Sequence, residues 1–399
     1  MAERFSLEQV NHYLWRRQGF AWDSEARPQL DSVFGIYATS PTCYLALLAR
    51  NRDFRFADLD EWMHTQRQAV RIRAMRYSNF IIPVRLLPAV FQAVKSDLAN
   101  PLKQMFKMGV SEAQYRELAA QIERILDDGT MTAGEIKAAL PPEMAALGPA
   151  LAYAAPQMCA EGRLVRATVR GGWKSDLYEY ARFDRWLPDV KLDSISPEEG
   201  RMVLAREYFD SYGPATAEDF RWWSGLSKTD AKQAVAALDN ELVAIQVDGA
   251  DYLMLAEKLD ALRECPAEAP QGVRLLPVWD AYLMAYKNRA RYVPDKWYDY
   301  VYAKTGDATS TVLLNGTVGG VWDFQEAKKT LIVKVALFEQ ADEAVWTELQ
   351  QQLVRLANAT GYPSASLVRC DAPVMLKGGA QNLFKSPLKG VEGEVVFAL

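Results

Sequence analysis

Histidine is nearly missing from this chain. Among 399 residues only His12 and His64 occur, so acid–base chemistry built on paired imidazoles has almost no material. Cysteine is scarce as well. Cys43, Cys159, Cys265 and Cys370 lie far apart, without the paired spacing of a zinc site or a redox motif. They are expected as reduced core residues, which suits a cytoplasmic protein. No apolar run reaches the roughly 18 residues that a membrane-spanning helix needs, and the opening "MAERFSLEQV" lacks the apolar core of a secretory signal. A Walker loop, a dinucleotide fingerprint and a ligand-spaced Cys/His set are all missing. Neither a metal nor an organic cofactor is therefore expected. The net charge of −5 argues against a protein that coats nucleic acid by bulk charge alone.

What is present is a repeated pattern. In a chain of this length, 50% hydrophobic, two or three domains are expected. "SYGPATAEDFRWWSGLSKTDAKQAVAALDNELVAIQVDGADYLML", Ser211 to Leu255, reads as helix, turn, helix and two strands. Thr216 is a good N-cap with Asp219 three residues on, and Phe220, Trp223 and Leu226 share one helical face. Ser227 can cap the second helix, and Asp248-Gly249 suits a hairpin turn. The same order recurs from Gly129, with Thr132 as cap, a second helix near Pro156, and strands around Gly171-Gly172. A weaker copy precedes both: "SLEQVNHYLWRRQGF", "SPTCYLALLARN" and "AVRIRAMRYSNFIIP". Helix, turn, helix and a two-stranded wing describe a winged helix.

After the linker "ECPAEAPQG" the character changes. "STVLLNGTVGGVWDF" is a hairpin with Asn315-Gly316 at its turn, "KTLIVKVALFE" is a strand, and "DEAVWTELQQQLVRLANATG" is an amphipathic helix ended by Gly361. The expected fold is therefore α+β, with three tandem winged-helix units and a C-terminal β-rich α+β domain. The boundaries fall at 1–128, 129–196, 197–265 and 272–399. The tail "MLKGGAQNLFKSPLKG" is basic and glycine-rich, either a DNA-touching arm or a loop.

Charge is unevenly spread. Trp62 to Lys107 holds eight basic residues against the single Asp97, a local excess of +7. In a regular strand Arg71, Arg73 and Tyr77 would share one face, with Arg76 close by. Arginines beside an aromatic suit phosphate contact and base stacking, although basic residues also protect a solvated strand edge. At "RGGWKSD", Trp173 and Lys174 are expected either at an exposed tip, where they can stack on a base step and meet a phosphate, or with Trp173 folded back on its own hairpin.

Three stretches in order, "YFDSYGPATAEDFRWWSGLS", "LLPVWDAYLMAYKNRARYV" and "TVLLNGTVGGVW", resemble the winged-helix family that contains the AlkZ and YcaQ DNA glycosylases. Weaker similarity covers nearly the whole chain. The resemblance implies tandem winged helices around a concave channel for double-stranded DNA. It also implies metal-free hydrolysis of the N-glycosidic bond of bulky alkylated purines, crosslinks included.

The family's catalytic motif is a glutamine followed, one residue later, by glutamine or aspartate. The matching stretch here, "FGIYATSPTCYLALLAR", has Tyr37 and Thr39 in those positions. Ser40 is expected to cap the following helix, with Pro41 as its first residue. Tyr37 and Thr39 would then stand just ahead of a helix N-terminus, where free N–H groups favour an anion or an attacking water. Both hydroxyls can hold a water, but they are poor bases near neutral pH. Two functions follow: a monofunctional DNA glycosylase, or a catalytically silent relative that binds damaged DNA or regulates transcription.

Overall fold

The helix starts are set by side chains that close the first turn. Thr216 accepts from the backbone N–H of Asp219, whose carboxylate accepts from the N–H of Thr216 in return, and the helix Ala217–Ser224 follows. Gly225 ends it in the left-handed region at φ 76°. Ser227 then caps Lys228–Ala236, and the strands Leu242–Val247 and Ala250–Leu255 turn at Asp248 and Gly249, both with positive φ. The same reciprocal cap, Thr132 with Glu135, starts Ala133–Ala139. The second helix of that repeat is split by a tighter turn into Gly148–Tyr153 and Ala154–Ala160, and the strands Leu164–Arg170 and Leu177–Arg182 follow. Near the chain start lie the helices Leu7–Arg17 and Thr42–Arg50 and the strands Ala69–Arg73 and Asn79–Pro83.

This computed structural model describes residues 2–22, 33–95, 100–127, 129–376 and 386–399. Most of the basic tail and Asp97 lie outside the described residues. The architecture is mixed α+β with three sheets. Strand pairing links the repeats rather than keeping them apart. Arg71 pairs with Arg166, so the first two hairpins continue into one six-stranded sheet. Glu3–Phe5, unforeseen in the sequence, runs parallel to Leu242–Val247 in the third hairpin. The helices Asn100–Lys107, Glu112–Leu126 and Pro197–Tyr212 were likewise unforeseen.

The C-terminal sheet runs Val273–Leu276, Thr311–Leu314, Thr317–Ala327, Thr330–Leu337, Ser364–Arg369 and Glu394–Ala398 in spatial order. Its neighbours are antiparallel except Thr330–Leu337 with Ser364–Arg369. The helix Glu343–Thr360 makes the crossover that a parallel pair requires, and Gly361 ends it at φ 74°.

One apolar core takes in residues from Val10 through Trp223 to Leu367, whereas Tyr115, Leu118, Ile122 and Met158 belong to a smaller separate core. The stretch at 33–80 therefore packs with the C-terminal sheet in a shared interior. Among the described residues no helix is long and apolar enough to cross a membrane.

Candidate active site

Tyr37 lies on the short strand Ile36–Tyr37, paired opposite Phe80, and its ring packs on Phe80 at 4.5 Å between centroids. Gly35 stands before it at φ 77°, where an added Cβ would come 3.1 Å from the Trp223 ring; a side chain there would strain the backbone and crowd that ring. Ala38 N–H donates to the Asn79 carbonyl. Thr39 follows, and the helix Thr42–Arg50 begins three residues on. Tyr37 and Thr39 thus stand ahead of a helix, as the sequence suggests.

The cap differs from expectation. Pro41, not Ser40, occupies the N-cap position, and no side chain closes the first turn. The Ser40 backbone N–H instead donates to Asp176 at 2.9 Å, drawing the serine toward the second hairpin. Its hydroxyl is buried without a partner among the described residues.

Both residues open onto a cavity of about 360 Å³. It is lined by Tyr37, Thr39 and the turn at 76–79 and, from the connection between Val273–Leu276 and Thr311–Leu314, by Trp279, Met284 and Asp307. That connection is pinned from behind. Asp280 and Arg50 make a two-point ion pair, 2.6 and 2.7 Å, with both side chains at most 1% exposed, and the Thr42 hydroxyl donates to the Val278 carbonyl at 3.0 Å. Asp307 accepts from the Trp279 indole N–H at 3.0 Å and from the Thr305 hydroxyl at 2.5 Å. Burial pushes the Tyr37 phenol up to about 12, opposed by the charge of Arg76 and reinforced by that of Asp307. Near neutral pH the phenol therefore keeps its proton and can act as a donor, not as a base. The Asn79 side-chain oxygen is buried and unpaired among the described residues.

The basic residues are dispersed rather than gathered on one face. The strand ends at Arg73, and Arg76 and Tyr77 take left-handed φ of 51° and 60° in a tight turn. That turn breaks the alternation which would have put Tyr77 on the face of Arg71 and Arg73. Arg71 is only 2% exposed, near the Tyr178 ring and opposite Arg166. Arg73 is half-buried, and burial lowers its pKa. The Arg71 guanidinium is closed off from the open surface, and Arg73 reaches that surface only in part. Arg76 and Tyr77 do reach it at the cavity rim, with Arg76 lying over the Trp222 ring at 4.2 Å.

The hairpin tip differs as well. Trp173 is half-buried between Phe56 and Phe324, at 5.2 and 5.8 Å. Lys174 pairs with Glu326 and also donates to the Tyr362 hydroxyl. The strand Thr317–Ala327 lies against this tip, so Trp173 neither stands free nor folds back on its own hairpin. Of the two histidines, His64 is half-buried with Nε2 unpaired among the described residues, and burial lowers its pKa. His12 bonds through Nδ1 to the Glu268 carbonyl.

Sequence reasoning missed Trp279 and Asp307 as cavity residues. Trp279 sits inside "LLPVWDAYLMAYKNRARYV" and carried a signal. Asp307, in "KTGDATS", carried none. Among the described residues no group of three or more His, Cys, Asp and Glu side chains is arranged to hold a metal ion.

The cavity is thus built between the residues ahead of helix Thr42–Arg50, the turn at 76–79 and the connection leading into the C-terminal strand Thr311–Leu314. The chain belongs to the AlkZ-like DNA glycosylase family, whose model matches residues 29–359, and DNA is that family's partner. In structure it is similar to the Streptomyces sahachiroi DNA glycosylase AlkZ, with a TM-score of 0.74 over 92% of this chain and 100% of that one. Sequence identity to it is 19%, so this likeness speaks for the fold. No curated relative matches the chain.

Proposed function

We propose that this protein binds double-stranded DNA and hydrolyses the N-glycosidic bond of bulky alkylated purines, crosslinked ones included. The three helix–turn–helix–hairpin segments are read as winged helices that carry the duplex. The observation that carries the reading is the cavity of about 360 Å³ at the position of the family motif. Its volume falls at the lower end of the range for small-molecule sites, about 300–1,000 Å³, which suits an extruded base. Enzymes that act on a base in a duplex must take it out of the stack, and Tyr77, exposed at the rim, offers an aromatic face to receive or replace it. An alkylated purine already carries positive charge, so its departure needs little acid catalysis. It needs a placed water and a stabilised cationic sugar. Thr39 and the neutral Tyr37 phenol can hold that water.

Duplex DNA carrying a single N7-alkylguanine tests this: incubation should yield an abasic site. A second reading, silent binding of damaged DNA, is favoured by the Tyr37 ring packed on Phe80 with a phenol too weakly acidic to serve as base. It requires tight binding without an abasic product.

DNA contact is assigned to the rim. Arg76→Ala with Tyr77→Ala should weaken binding similarly for different sequences. It should also flatten the salt slope by about one unit, the share of a single phosphate neutralised by Arg76. Filter binding or anisotropy across a salt series reads both. An unchanged affinity and slope in a folded variant would remove the rim from the interface.

A further inference from the structure

The family motif supplies this chain with no carboxylate, since Tyr37 and Thr39 stand in its two polar positions. A carboxylate nevertheless reaches the same cavity from a distant part of the chain. Asp307 belongs to the tight turn at 303–307, in which Gly306 N–H donates to the Ala303 carbonyl and Ala303 N–H to the Asp307 carbonyl. The turn is tied to the interior because Thr309 N–H donates to the buried Val301 carbonyl and Trp279 N–H to that of Ala308. The carboxylate is fixed at both oxygens, one by the Trp279 indole and one by the Thr305 hydroxyl. Each oxygen keeps a lone pair for another donor. Among the described residues no lysine, arginine or histidine forms an ion pair with it. Arg76, the cation that lines the same cavity, lies over the Trp222 ring, and nearby Arg289 donates to Tyr298 and the Gly306 carbonyl.

We infer that Asp307 is the catalytic carboxylate of this protein, facing the sugar and the attacking water across the cavity from Thr39. The inference rests on the glycosylase reading. In the step it serves, the C1′–N9 bond breaks and its electron pair leaves with the positively charged purine, which departs neutral. The sugar becomes an oxocarbenium ion. Water oxygen bonds to C1′, and the water's proton passes to the Asp307 carboxylate and then to solvent. An oriented negative charge with no ion-paired partner, in a partly closed cavity, stabilises developing positive charge without reorganising. The two donors on Asp307 hold its position and leave it a charge, since neither is a cation.

Asp307→Asn separates charge from structure. The amide is isosteric, its oxygen can still accept from the Trp279 indole, and its NH₂ can donate to the Thr305 hydroxyl. Only the charge and the proton acceptor disappear. The expected result is a fall in single-turnover release of N7-alkylguanine of about a hundredfold or more, with unchanged DNA affinity.

A second readout requires no turnover. Duplexes carrying either a protonated pyrrolidine or a neutral tetrahydrofuran in place of the sugar are compared for binding. The natural protein should prefer the cationic analogue by at least about tenfold, as transition-state mimics bind preferentially, and Asp307→Asn should bind the two nearly equally. A natural protein without that preference, or an Asn variant that retains it, overturns the assignment. So does base release at the natural rate by the Asn variant. If the natural protein prefers the cationic duplex through Asp307 but releases no base, the glycosylase reading fails while the cation-facing carboxylate stands.

Discussion

Replacing Asp280 by alanine should cost the folded protein about 3–5 kcal/mol, the usual consequence of leaving one member of a buried ion pair alone. Arg50 and Asp280 are 1% and 0% exposed at their side chains. Without the carboxylate, the guanidinium keeps the Ala46 carbonyl at 2.9 Å and a long contact to Gln18, while the backbone N–H of Tyr282 is deprived of its acceptor. Arg50 also stands over the Phe20 ring at 4.8 Å and cannot turn outward without opening that packing. Denaturant unfolding followed by tryptophan fluorescence should show the destabilisation. The double variant Arg50→Met with Asp280→Leu should recover much of it, because a buried pair often exchanges for apolar residues at little cost. A change below about 1 kcal/mol for Asp280→Ala would mean that water reaches the pair. The consequence for function is local: Asp280 anchors the loop that carries Trp279, so the cavity wall should loosen before the distant hairpins do.

The second large effect is a gain. Tyr37→Gln with Thr39→Gln should create or increase excision of N7-alkylguanine by ten- to a hundredfold, which is about 1.4–2.8 kcal/mol of barrier. An amide both donates to and accepts from one water and orients it better than a rotating hydroxyl. Removing the phenol also widens the cavity for a bulky adduct. The cost is the packing of the Tyr37 ring on Phe80, so stability should fall while the rate rises. Thr39→Ala in the natural protein is the reciprocal test. If the natural protein excises and Thr39→Ala leaves its rate intact, the water is held elsewhere.

Local signals in the sequence were strong where chemistry and backbone agree within a few residues. Thr216 with Asp219, Thr132 with Glu135, Asp248-Gly249 and Asn315-Gly316 each specify a start or a turn through groups at most three positions apart, and those elements stand where their residues place them. The position of Tyr37 and Thr39 ahead of a helix was legible as well, although the Ser40 cap that announced that helix does not form. Contacts between distant segments were not. The strand Glu3–Phe5 pairs with residues some 240 positions away, and three residues carry no periodicity to announce it. The turn at Arg76 and Tyr77 reverses side chains that strand alternation would have aligned. Its left-handed backbone is rare for such residues and answers to close packing beside Gly225, whose added Cβ would come 3.1 Å from the Arg76 side chain. Gly171-Gly172 suggests a hairpin end with Trp173 either exposed at the tip or folded back on its own strands, yet Phe56 and Phe324 come from far along the chain to cover it. Asp307 was invisible for a related reason: nothing in a turn sequence tells which wall of which cavity its carboxylate will face.

Blocking the cavity while leaving the rim alone tests most directly whether bases are removed there. Thr39→Trp fills part of the cavity and leaves Arg76 and Tyr77 unaltered. Single-turnover release of N7-alkylguanine from duplex DNA, with affinity recorded alongside, should show release by the natural protein. Release by Thr39→Trp should be slower by at least about tenfold, or roughly 1.4 kcal/mol of barrier, at comparable affinity for undamaged duplex. Release by Thr39→Trp at the natural rate would put the chemistry elsewhere on the molecule, and tight binding without release by the natural protein would make this a DNA-damage binder and not a glycosylase.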